Sequence, residues 1–325
     1  MSSIVKEAPI SGSARRVGVP AILFLAYFAY MTVAVLVFPL SFRERAVIAA
    51  LNLLVGGTVL VLEWNVKTGR SRFLVVARDW LPCILVLVAY REAGLLFVPD
   101  PSHRLDYLFI RWDEMLLKNP WVMHALAAAS PWLQQYLEFS YVLCYPVVPL
   151  GVASLYLASR DVAPGLSPSD AALKGGATDR RPDSAPRERR YSSAIEHYWT
   201  AVLIAALTCY VLFPWFPLTP PRELFPDSPP QGASALRGLN HWLLDHYAVG
   251  ASLFPSGHVA AVTAAALAIR RYAPHAGLAF LLVAVSIAVA TVYGRYHYAA
   301  DALAGALVGV VSFLVSCWVR RSRAN

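Results

Sequence analysis

Three short stretches of this 325-residue sequence carry side chains whose types and spacing suit chemistry on a phosphate group. The first is Pro255-Ser256-Gly257-His258, directly ahead of an apolar run. Proline and serine in that place mark a helix start, where unpaired backbone N–H groups and the helix dipole favour an anion. The second is "YGRYHYAADALAGALVG", which contains Arg295, His297 and Asp301. His297 and Asp301 are four residues apart, so one helix face holds both within hydrogen-bonding reach. The third is "PWFPLTPPRELFP", where four prolines ahead of Arg222 forbid regular helix and give a stiff path that can hold one arginine in place.

Together these groups suit phosphoryl transfer. Asp301 can accept the proton-bearing nitrogen of His297 and fix its tautomer, which leaves the other nitrogen as a nucleophile toward phosphorus. A protonated His258 can donate to the leaving oxygen. Arg222, with the amides at Gly257 and His258, can hold the phosphoryl oxygens as charge develops. A zinc site built from His258, His297 and Asp301 uses the same residues, although Arg222 and Arg295 beside it would repel a cation and welcome an anion. The other histidines, His103, His124, His197, His241, His246 and His275, have no such company and read as packing or interfacial residues.

The elements that must position these groups are membrane helices. The chain is 58% hydrophobic and only 15% charged, well below the roughly 25% charge of an ordinary soluble domain. The apolar residues gather into eight runs, at about 19–40, 46–63, 74–97, 137–158, 193–213, 257–272, 275–293 and 297–319. Most approach the roughly 20 residues needed to cross a bilayer as a helix. The expected fold is therefore all-α, a polytopic transmembrane bundle of about eight helices. The first run follows Arg15 and Arg16 but is long and aromatic, without a small-residue cleavage site, and reads as a retained helix rather than a signal peptide. Cys83, Cys144, Cys209 and Cys317 lie inside apolar runs at no metal-ligand spacing and read as small core residues. Gly305 and Gly309 form a Gly-x-x-x-Gly step suited to close helix packing. The segment from Pro101 to Pro131, with Trp112 and Trp121, reads as interfacial helices.

At PSGH (255–258) and HYAAD (297–301), separated by two apolar helices, the sequence resembles the type 2 phosphatidic acid phosphatase superfamily. The resemblance implies a six-helix catalytic core over residues 74–325, preceded by two further helices in 1–73. It also implies metal-independent phosphoryl transfer that needs no cofactor and proceeds through a phosphohistidine. In that chemistry His297 is the nucleophile, Asp301 its partner and His258 the general acid, while Arg222, Ser256, Gly257 and Arg295 bind the phosphate. Two of the family's cations are absent from their usual places. Arg222 has Trp215 seven residues before it and Glu223 after it, and Thr291 stands six before His297, where the family commonly carries arginine. Arg222 after "TPP" and the form "ATVYGRYHYAAD" look more like the inositol phosphorylceramide synthase branch. The function expected is a membrane phosphatase on lipid phosphate esters. The alternatives are a lipid phosphotransferase that moves a phosphorylated head group to an alcohol, and a non-catalytic transporter or scaffold.

The net charge of +8 is a topological signal and not a nucleic-acid one. If both termini share a side, the loops there hold eighteen basic residues against eight opposite, the asymmetry of cytoplasmic loops. The partners expected are the bilayer and a lipid phosphate, with the termini cytoplasmic and the site extracytoplasmic. The Pro-, Gly- and charge-rich stretch at 160–191 reads as a flexible cytoplasmic linker. In intact cells, an impermeant thiol reagent should label a cysteine introduced near Gln231 and not one near Ser184. The opposite pattern would overturn this orientation.

Overall fold

The computed structural model describes residues 17–68, 72–98, 102–118, 130–160, 184–225, 234–249 and 252–324. Among them are twelve helices. They are α1 (Val19–Ala34), α2 (Phe42–Lys67), α3 (Arg72–Leu95), α4 (Arg104–Leu117), α5 (Pro131–Val142), α6 (Val147–Arg160), α7 (Ser184–Leu212), the one-turn α8 (Pro221–Leu224), α9 (Ala235–Tyr247), α10 (Gly257–Tyr272), α11 (Pro274–Tyr293) and α12 (Ala299–Ala324). Two-residue strands β1 (Pro217–Leu218) and β2 (Ser252–Leu253) pair antiparallel. Five helices are long and apolar enough to cross a bilayer, and α5 with α6 makes a sixth span if the bent pair is counted as one. The chain is a multi-pass integral membrane protein.

Each of the eight apolar runs is helical, with two departures from unbroken spans. The helix of the first run ends at Ala34, and the run at 137–158 is bent by 76° between α5 and α6. Pro146 accounts for the break, because its ring disfavours helical geometry at Tyr145 and it carries no N–H to continue the ladder. Part of the expected linker, 161–183, lies outside the described residues, as does most of the segment after α4. Residues 184–191 are not linker but the first turns of α7.

The alanine-rich α10 is the hub. It packs against α6, α7, α11 and α12, and ten of its sixteen residues are buried, six of them alanine. Within lipid there is little hydrophobic drive between helices, so association depends on close van der Waals contact, which small side chains permit. The contact is closest along α12. A methyl group at Gly305 would lie 2.5 Å from the Ser256 carbonyl oxygen, and one at Gly309 would lie 2.6 Å from that of Ala260. The N-terminal helices join the same core, since Phe24, Tyr27, Phe28 and Met31 of α1 belong to one buried cluster with α3, α7 and α10. Cys144 and Cys209 are buried and all four cysteines are free thiols. His197 is likewise a packing residue, bonded to Tyr272 and Ser316.

An alanine in place of glycine ordinarily gains a helix about 1 kcal/mol. At Gly305 or Gly309 the added methyl meets backbone that cannot yield, so Gly305→Ala and Gly309→Ala should instead destabilise by about 1–3 kcal/mol. Thermal unfolding of the purified protein in detergent measures this, and an unchanged or raised midpoint would contradict the close approach.

Candidate active site

The site is assembled from three strands of chain that meet at one end of α10. Ser256 caps α10, its hydroxyl accepting the Val259 N–H at 3.5 Å, and its own N–H donates to the carbonyl of Asp301 at 3.2 Å. Gly257 has no room for a side chain without pressing on Tyr210 and Phe213, at 3.2 and 3.3 Å. The β1–β2 pairing lays the proline-rich path to Arg222 beside the PSGH turn. The Arg222 N–H then donates to the carbonyl of Arg295 at 3.1 Å, and the Tyr298 hydroxyl to that of Thr219 at 3.1 Å.

His297 precedes the first turn of α12, which begins at Ala299, rather than lying within the helix as its spacing suggested. The pair with Asp301 forms nonetheless: Nδ1 and Oδ2 are 2.9 Å apart, with Asp301 fully buried and His297 nearly so. The loop before them is held from behind, because the N–H groups of Tyr296 and His297 both donate to the Thr291 carbonyl, at 2.9 and 3.1 Å. Arg295 bears the resulting conformation, with a φ of 60° that is uncommon and strained for a non-glycine residue.

The two histidine rings lie edge to face, with centroids 6.2 Å apart and planes at 71°. Backbone bonds thus bring together the segments that carry the seven residues expected to form the site. Arg222 is mostly covered, with its guanidinium 3.2 Å from Glu223. Arg295 is partly buried, and both burial and the neighbouring Arg237 disfavour its charge. Among the described residues no group of three or more His, Cys, Asp or Glu side chains has the geometry to hold a metal ion.

Two features were not read from the sequence. Tyr90, Tyr141 and Tyr145 surround His258 at 6.4, 6.3 and 5.9 Å between centroids, and tyrosines within apolar runs look no different from an interfacial belt. The other is the role of α4. Its carboxylates Asp106 and Asp113, seven apart and so on one face, hold the two halves of the site. Asp106 accepts the Thr219 N–H at 2.8 Å and the Thr219 hydroxyl at 3.0 Å, and its Oδ2 lies 2.7 Å from His103. Asp113 accepts the Ala299 N–H at 2.8 Å, at the start of α12. Between them Phe109 packs on Phe254 and Tyr298.

Residues 186–315 match the family model of the PAP2 superfamily. No curated protein and no solved structure matches the chain.

Burial pushes the Asp113 carboxyl up to about 6, with the charge of Asp301 adding to the rise and the amides of Ala299 and Ala300 opposing it. Folding thus favours its protonated form. That contribution to stability is full below about pH 4 and is lost as pH rises through about 6. The unfolding midpoint of the wild type should fall over this window relative to that of Asp113→Asn, which is neutral throughout. Parallel profiles would show that Asp113 does not titrate this way.

Proposed function

Because residues 186–315 match the family model of the PAP2 superfamily, we propose that the protein is a membrane phosphatase that hydrolyses lipid phosphate esters through a phosphohistidine on His297. The observation that carries this reading is the buried His297–Asp301 hydrogen bond of 2.9 Å, with the His258 ring 6.2 Å from that of His297. With Asp301 accepting the Nδ1 proton, the Nε2 lone pair of His297 is free to attack phosphorus. As the P–N bond forms and the ester P–O bond breaks, His258 gives its proton to the departing lipid alkoxide. Arg222, Arg295 and the amides at the start of α10 hold the phosphoryl oxygens while their charge redistributes. Neutral His258 then takes a proton from water as its oxygen attacks the phosphohistidine. The P–N bond breaks, orthophosphate leaves, and both histidines return to their starting states.

An alcohol in place of water at the second step would make the same residues a phosphotransferase. The distribution of basic loops supports a site at the extracytoplasmic face. Purified protein given a labelled lipid phosphate, with and without alcohol acceptors, should release labelled orthophosphate in both cases. Label appearing on the acceptor instead would establish transfer, and label remaining on the substrate under all conditions would count against catalysis.

The two histidines should separate by leaving group. An aryl phosphate departs with little protonation, so the penalty of His258→Ala should shrink with it, whereas His297→Ala should be inactive on both substrates and form no phosphoenzyme. Arg222→Lys should lose about 1.5–3 kcal/mol of transition-state binding, because a point charge does not reproduce a bidentate fork. Acid-quench labelling and kcat/KM on the two substrates test these roles. Phosphate found on His258 would reverse them.

A further inference from the structure

Glu138 is an ionisable residue within an apolar run, in α5, and is 4% exposed. Charge at that depth is costly unless it is fully engaged, and three donors from two other segments converge on it. The Tyr296 hydroxyl donates to Oε2 at 2.7 Å, the Asn240 side-chain amide to the same oxygen at 2.7 Å, and Arg237 Nη1 lies 3.3 Å from Oε1. Asn240 also donates to the Glu138 carbonyl at 2.9 Å and is fully buried, which fixes α9 against α5.

Each arm leads to the site. Tyr296 immediately precedes His297, and its ring is stacked at 3.9 Å on Tyr141, one of the tyrosines around His258. Arg237 shares the Glu138 carboxylate with Tyr296, the chain neighbour of Arg295, and the His241 ring, one turn after Arg237 on α9, lies 6.3 Å from that of Tyr296. We infer that Glu138 is a positioning residue: its carboxylate places His297 through Tyr296 and holds Arg237 beside Arg295 as a further cation for the phosphate. The inference rests on the phosphatase reading above.

The alternative is that Glu138 only ties helices together, and kinetics separate the two. Tyr296→Phe removes one hydrogen bond and keeps the stacked ring, so the bundle should persist. A misplaced nucleophile should then lower kcat about tenfold with KM within about twofold. Arg237→Ala should raise KM about tenfold and weaken vanadate inhibition in parallel, with kcat within about threefold. Glu138→Gln still offers an oxygen to Tyr296 but no charge to Arg237, so it should follow Arg237→Ala more closely than Tyr296→Phe. All three are compared as full-length protein in lipid nanodiscs on a lipid monophosphate, alongside their unfolding midpoints. An active wild type whose kcat and KM are unchanged in Tyr296→Phe and Arg237→Ala, with only the midpoints lowered, would overturn the inference. A wild type that neither releases phosphate nor binds vanadate would sink the phosphatase reading itself, and this inference with it.

Discussion

The contact between the backbones of α10 and α12 at Gly305 and Gly309 sets the geometry of the site. Two helices that meet carbonyl to Cα have little freedom to slide, so their N-terminal ends arrive at a fixed distance and depth. His258 sits on the first turn of one, and His297 lies just before the first turn of the other. The backbone bond from Ser256 to Asp301 repeats the constraint at the site itself. Larger residues at 305 or 309 would move the two histidines apart before they touched either one.

What glycine does for distance, buried polar contacts do for orientation. Polar groups buried at the end of a helix bundle need partners, so each turn that carries a residue of the proposed site has its own. The proline path to Arg222 is held by Asp106, the start of α12 by Asp113, and the His297 loop by Thr291 and Glu138. Asp106, Asp113 and Glu138 lie outside residues 186–315, as do Tyr90, Tyr141 and Tyr145. The segment that matches the superfamily supplies the groups that would react, and earlier parts of this chain supply much of what holds them.

The residues legible in the sequence were those whose chemistry is local. His297 and Asp301 find each other across four residues, Ser256 caps its own helix, and Gly305 and Gly309 follow a simple repeat. Hydropathy was enough for the membrane helices, and Pro146 was a visible reason for the break in 137–158, although the run read as one span. The ties from Asp106 to Thr219, from Asp113 to Ala299 and from Arg237 to Glu138 were not legible, because each joins distant parts of the chain on elements whose docking no local pattern sets. Glu138 is the intermediate case. A lone carboxylate in an apolar run is itself a signal, but nothing in the run names Tyr296, Asn240 and Arg237 as its partners.

The threonine at 291 and the positive φ at Arg295 have a common physical origin. Thr291 is fully buried, its hydroxyl donates to the Ala288 carbonyl at 2.8 Å, and its own carbonyl takes the N–H groups of both Tyr296 and His297. A side chain as long as arginine at 291 has no place in that packing. To bring two amides onto one carbonyl the chain must turn sharply, and it does so with Gly294 against the Tyr296 ring and Arg295 at a φ of 60°. The turn leaves Arg295 partly exposed, and its carbonyl is the acceptor for the Arg222 N–H. The positive φ of Arg295 is thus held in place by buried hydrogen bonds on either side of it.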